Sequence, residues 1–208
     1  MSGPTSTDVQ NVPGNYYDKY NATNPIAGRL VANFLKSFVE LAESTQANEV
    51  FEVGCGEGNL SLKLLRKGWT VRGADLEESV VNEANESAEA EGFGAPFFVA
   101  DVYSLTPSEI SAPVIVCCEV LEHLPDPERA VDLLAEAAQP WVLLSVPREP
   151  IWRILNVARG KYFRHLGNTP GHIQHWSRRS FLAMVSRRLD VISVRSPLPW
   201  TMVLCRTR

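Results

Sequence analysis

The sequence has no uninterrupted apolar run near the length that a membrane-spanning helix needs, so no such helix is expected among its 208 residues. Its first fifteen residues, MSGPTSTDVQNVPGN, lack a basic start followed by an apolar stretch. They read as a polar, flexible lead-in and not as a secretion signal. Cysteine is scarce: Cys55, Cys117, Cys118 and Cys205 are the only four, and none forms a C-x-x-C pair. Cys117 and Cys118, being adjacent, would face opposite sides of a strand. Reduced, buried thiols in a cytoplasmic protein are expected, without a disulfide framework. A strong excess of one charge is also missing, with 20 Lys and Arg against 24 Asp and Glu, a net charge of -4. That balance argues against a protein that grips duplex nucleic acid through its phosphates. No internal repeat or low-complexity tract occurs. The length fits one domain with a self-sufficient core.

Strand and helix patterns alternate along this length. Asn24-Pro25 is a helix start, and apolar residues recur at helical spacing over 26–41. The run EVFEVG reads as a buried strand, followed by a helix over 59–67 that Gly68 ends. A strand over 70–75, a helix over 79–91 and a strand over 95–101 follow. A fourth strand over 113–120, a helix over 127–138 and a fifth strand over 139–147 continue the alternation. Such βαβ units predict a doubly wound, mostly parallel sheet. The pattern then breaks into a connection of its own over 148–176, with a helix expected over 151–166. Ser177 is placed to cap a last helix running to Arg187. Two close strands, 190–195 and 200–206, suggest a final antiparallel hairpin. The expected division is a flexible segment and lid over 1–24 and one domain over 25–208.

Three acidic residues mark the ends of the first three strands: Glu52, Asp75 and Asp101. Ligands of open α/β sheets bind beyond the carboxyl ends of the strands. The loop Gly54-Cys55-Gly56-Glu57-Gly58-Asn59 lets backbone approach such a ligand at a helix N-terminus. A pyrophosphate site would prefer glycine where Asn59 stands. Glu52 and Glu57 would repel a diphosphate but suit a ligand with an ammonium and a sulfonium, which opposes a nicotinamide-dependent oxidoreductase. Asp75 lies about twenty residues past Gly54, a spacing suited to the two hydroxyls of a ribose. Asp101 can accept from an adenine amine, while Leu76 and Val102 sandwich the base.

These residues, with Asp101-Val102 and the run CCEVLEHLPDP over 117–127, resemble the class I S-adenosylmethionine-dependent methyltransferases. The resemblance covers nearly the whole chain. It implies a Rossmann-like, doubly wound seven-stranded sheet with its last strand antiparallel and a helical insertion after the fifth strand. It implies S-adenosyl-L-methionine as cofactor, held by Glu52, Gly54, Cys55, Gly56, Gly58, Asp75, Leu76, Asp101, Val102, Cys118 and Glu119. By the same resemblance Tyr17 and Tyr20, in YYDKY, close over the methionine end; packing of a terminal helix is the competing reading.

An oxygen acceptor needs somewhere to send its proton, and histidine suits that role near neutral pH. His123 follows the fourth strand, and His172 lies in TPGHIQHW; both are the candidate catalytic residues. A metal-free site is expected. The alternative makes Glu119, Glu122, His123 and His172 ligands of a divalent cation. That spacing resembles the metal-dependent small-RNA 2′-O-methyltransferases and the ubiquinone-pathway O-methyltransferases.

Arg148, Arg153, Arg159, Lys161, Arg164, Arg178, Arg179, Arg187 and Arg188 make the stretch 148–188 basic against the single acid Glu149. With Trp152, Tyr162, Phe163 and Trp176, this segment suggests an anionic small-molecule or carrier-linked acceptor, such as a sugar, nucleotide or natural product. A solvated helix face is the plain alternative. The segment SVPREPIWRILN to LGNTPGHIQHW also resembles bacterial saccharide and secondary-metabolite methyltransferases. Its basic helix is also suited to peripheral contact with a membrane. An RNA 2′-O-methyltransferase and a non-catalytic S-adenosylmethionine-binding protein are the rival readings. The sequence leaves the oligomeric state open.

Overall fold

The computed structural model describes residues 24–160, 162 and 165–208. Helix α1 (Pro25–Ser44) begins where the Asn24 side chain accepts from the amides of Ile26 and Ala27. Then come β1 (Glu49–Val53), α2 (Asn59–Leu65), β2 (Thr70–Asp75), α3 (Glu78–Ala90) and β3 (Phe97–Val99). Next are α4 (Pro107–Ile110), β4 (Ala112–Cys118), α5 (Pro127–Ala137), β5 (Ala138–Pro147) and α6 (Ile151–Ala158). The order closes with α7 (Arg178–Val185), β6 (Asp190–Arg195) and β7 (Trp200–Arg206).

One seven-stranded sheet runs β3-β2-β1-β4-β5-β7-β6, with β7 antiparallel to both its neighbours. The other pairings are parallel, as the alternation of strand and helix requires. Side chains alternate across the sheet and build two apolar layers. One holds Val50, Val114, Val116, Leu143 and Leu204 against Phe34, Phe38 and Leu64 of α1 and α2. The other holds Phe51, Ile115, Val142 and Val203 against Leu134 of α5 and Phe181 of α7. Cys118 lies in the first layer and Cys117 in the second.

Several bounds differ from the sequence expectation. The edge strand β3 is three residues long. The short α4 was not foreseen; it carries a capping box in which Thr106 and Glu109 satisfy each other's end of the first turn. Helix α6 stops at Ala158, well before residue 166, because Gly160 takes a left-handed φ of 75° just past its end. The excursion between β5 and α7 is closed at its base, where Glu149 N–H donates to Trp176 O and Arg148 N–H to Pro199 O.

Candidate active site

The carboxyl ends of β1, β2 and β4 converge on the turn that follows β1. Gly54 (φ 76°) occupies a spot where a Cβ would lie 2.2 Å from Val120 Cγ2, so any side chain there would strike the segment after β4. The Gly54 and Cys55 amides donate to Ala74 O at 2.7 and 3.1 Å, which ties the turn to the end of β2. Gly56 (φ 50°) is different: a Cβ there would meet nothing within 4 Å, because the backbone borders open space. Asp75 braces the same turn. Its Oδ2 accepts from Gly56 N at 2.8 Å, and its Oδ1 from Glu77 N at 3.1 Å. Each oxygen retains a second lone pair, enough for the two hydroxyls of a ribose.

Behind the loop, buried Glu52 accepts from Ser61 Oγ on α2 at 2.5 Å. Burial, and then the carboxylates of Glu52 and Asp75, push the Cys55 thiol far above its ordinary value, so it stays protonated. A cavity of about 950 Å³ opens in front of these groups. Glu52, Glu57, Asp75, Glu77, Glu119 and Glu122 line it, against Arg159 as the one arginine or lysine among the described lining residues. Such a wall repels a diphosphate and attracts a cationic tail. Leu76 is 66% exposed and Val102 is buried, and both line the cavity.

At the other end, the turn Leu121–His123 is strapped to residues 171–174. Glu122 O accepts from Ile173 N and Gln174 N at 2.9 and 3.0 Å, and Gln174 Nε2 donates to Leu124 O. His123 Nδ1 lies 3.0 Å from Gly171 O. The His123 and His172 rings meet edge to face, their centroids 4.9 Å apart. Each of Glu122, His123 and His172 offers a ligand atom within 4.8 Å of the others. Glu119 is turned elsewhere: its Oε1 accepts from Ser145 Oγ and its Oε2 from Trp200 Nε1. Trp200 touches Phe34 and Trp152, and Trp152 stacks on His172, so an aromatic row joins α1 to the histidines.

Residues 26–188 match a methyltransferase-domain family. The chain belongs to the class I S-adenosylmethionine-dependent methyltransferases. A ubiquinone biosynthesis O-methyltransferase of Coxiella burnetii is 33% identical over 103 residues, covering 50% of this chain and 44% of that protein. The matched stretch thus spans under half of that relative. The protein of the same name from Bordetella avium is 29% identical over 181 residues, covering 85% of this chain and 72% of its own. In fold, the methyltransferase is similar to the magnesium protoporphyrin IX methyltransferase of Synechocystis PCC 6803, solved with bound S-adenosylhomocysteine. That likeness has a TM-score of 0.69 at 18% identity and covers 91% of each chain.

The structure of the methyltransferase brings together Glu52, Gly54, Cys55, Gly56, Asp75, Leu76, Val102, Cys118 and Glu119, with His123 and His172, around one cavity. Gly58 stands behind the wall, at the N-cap of α2. Asp101 is exposed, its Oδ1 accepting from Tyr103 N at 2.9 Å, while its neighbours Ala100 and Val102 line the cavity. Tyr17, Tyr20, Lys161, Phe163 and Arg164 lie outside the described residues. The basic stretch divides. Arg187 pairs with Glu128, and Arg188 with Asp132 and Glu136, so these two meet acids of α5, and neither is among the residues that line the cavity. Sequence reasoning missed Trp200 as the holder of Glu119 and missed Asn156 and Thr169 in the wall. The spacing of Trp152, Leu155, Asn156 and Arg159 carried a signal, since it puts all four on one helix face.

Proposed function

We propose that this methyltransferase transfers a methyl group to an oxygen of a small or carrier-linked acceptor, with a histidine receiving the acceptor's proton. S-adenosyl-L-methionine supplies an electrophilic methyl on a sulfonium. Glu52 and Asp75, the Gly54 turn and the apolar pair Leu76 and Val102 fit that cofactor in charge and shape. The observation that carries the reading is the contact between His123 Nδ1 and Gly171 O. A carbonyl only accepts, so the proton of the neutral ring resides on Nδ1 and the lone pair on Nε2. The ring is therefore oriented as a base before any acceptor arrives. The relatives named O-methyltransferases support oxygen as the attacked atom. Trp152, Leu155 and Tyr162 give the acceptor end of the wall an apolar, aromatic character, and Arg159, bonded to Asn156, adds a basic group there. Transfer of labelled methyl to a panel of hydroxylated sugars, nucleotides and hydroxyaromatic acids tests this. Transfer only to nitrogen or sulfur acceptors would overturn it.

A second reading rests on the convergence of Glu122, His123 and His172. One carboxylate and two imidazoles fit a divalent cation such as Mn²⁺ or Zn²⁺, and the Gly171 contact orients His123 as a ligand as well as it does a base. Glu119 would contribute nothing to that set. Sensitivity of transfer to a chelator, with recovery on adding Mn²⁺, would favour this reading and admit an RNA 2′-hydroxyl among the acceptors. Transfer that a chelator leaves untouched would remove it.

A further inference from the structure

Helix α6 and the loop at 167–169 are joined through one buried amide. Asn156, 1% exposed, donates from Nδ2 to Gly167 O at 2.8 Å and to Thr169 Oγ1 at 3.3 Å. Its Oδ1 accepts from Arg159 Nη2. A guanidinium only donates and a carbonyl only accepts, so both ends of this amide are assigned by their partners. Gly167 permits the close approach, since a Cβ there would lie 2.3 Å from Arg153 O. Trp152 Nε1 donates to the same Thr169 Oγ1 at 2.9 Å. A threonine hydroxyl has two lone pairs and one proton. Here both lone pairs are taken, and among the described residues nothing accepts the proton. Thr169 lines the cavity, as do Trp152, Asn156 and Arg159. Its own carbonyl receives the His172 amide at 3.1 Å, so this hydroxyl and a candidate catalytic histidine belong to one turn.

We propose that Thr169 determines acceptor specificity by donating its hydroxyl proton to a carboxylate of the acceptor molecule, a group separate from the one that is methylated. The two donors on Oγ1 polarise the hydroxyl and strengthen it as a donor. They also pin its rotor, so little freedom is lost when a ligand arrives. A site that can only donate is matched by an oxygen that can only accept. Arg159 decides between a charged and a neutral oxygen. Its guanidinium stands one amide away from Thr169, through Asn156, and its charge favours the anion. This inference rests on the methyl-transfer reading in taking this end of the cavity as the acceptor's, and it names the class of acceptor.

Calorimetry on the full chain saturated with S-adenosylhomocysteine, comparing protocatechuate with catechol, which lacks only the carboxylate, tests it. Protocatechuate should bind tighter by roughly 10–100-fold, the range for one hydrogen bond to a charged group. Thr169→Val should erase most of that preference, and Thr169→Ser, which keeps the hydroxyl, should retain it. Arg159→Gln keeps a donor for Asn156 but loses the charge, and should lower the preference as well. Cofactor affinity equal to the parent's identifies each variant as folded. Equal binding of the two probes by the parent, or no binding, overturns the proposal. So does a folded Thr169→Val or Arg159→Gln protein that keeps the full preference, or a Thr169→Val protein that weakens both probes alike, as a purely structural role would. No methyl group moves in this measurement. Transfer confined to nitrogen or sulfur acceptors would therefore overturn the oxygen reading while a preference for the carboxylate still stood.

Discussion

His123 Nδ1 reaches the carbonyl of Gly171 at 3.0 Å, a bond between residues 48 positions apart that sets the ring of one loop by the backbone of another. The strap around it, in which Glu122 O takes two amide protons and Gln174 reaches Leu124, holds both loops in one register. A histidine held at one nitrogen does not need to be oriented again when an acceptor binds. Replacing His123 or His172 by alanine should lower methyl transfer by about 10²–10⁴-fold, the range of general-base contributions. Cofactor affinity by calorimetry should stay as it is. Wild-type rates in both variants would remove the histidines from the mechanism.

Two glycines of the same turn should respond differently. Gly54→Ala drives a Cβ into Val120 at a left-handed φ and should cost about 2–4 kcal/mol of stability, seen in the denaturation midpoint. Gly56→Ala meets only the backbone strain, about 1 kcal/mol. Its methyl group points into the cavity side of the turn, so affinity for S-adenosylhomocysteine should fall by more than stability does. Equal stability losses in the two would contradict the packing described for Val120.

Trp200→Phe keeps the ring against Phe34 and Trp152 but deletes the donor to Glu119 Oε2. Leaving that carboxylate oxygen short of a bond should cost about 1–3 kcal/mol. Glu119→Gln can still accept through its carbonyl oxygen and should lose less. A Trp200→Phe protein as stable as the parent would show that the bond contributes nothing.

The four thiols should resist alkylation in the native protein at pH 8 and react once it is denatured. All four are buried. Burial, reinforced by Asp190, pushes Cys205 up to about 12, and Cys55, Cys117 and Cys118 are raised as well, chiefly by burial. In the range between an ordinary thiol value near 8.5 and these raised values, the unfolded chain has released protons that the folded chain keeps. Stability is therefore fully present below pH 8 and falls as pH rises beyond it. A native thiol that reacts at pH 8 would contradict the burial.

Much of this was legible because local pattern and local chemistry agree. Strands β2, β6 and β7 have the bounds that apolar patterning predicts, and Asp75 could be placed from its distance to the glycine turn. The bond from Trp200 to Glu119 was not legible, because it joins residues 81 apart through an antiparallel strand whose register the sequence does not state. The division of the basic stretch was hidden for a like reason. Nothing in RRSFLAMVSRR shows that its last two arginines meet acids of α5; that follows from how α7 lies on α5. The early end of α6 was visible in Gly160, but the apolar run around it outweighed the single glycine.

The last strand in the sequence is not the last in the sheet. Strand β7 lies between β5 and β6, so β5 has a bare flank until residues 200–206 have been synthesised. A nascent chain emerging from the ribosome can lay down β1 to β4 early, yet it exposes Val142, Leu144 and Val146 beside an unpaired backbone until translation reaches Trp200. Premature termination anywhere in that final hairpin would release a sticky, incomplete sheet, a natural client for chaperones and proteases.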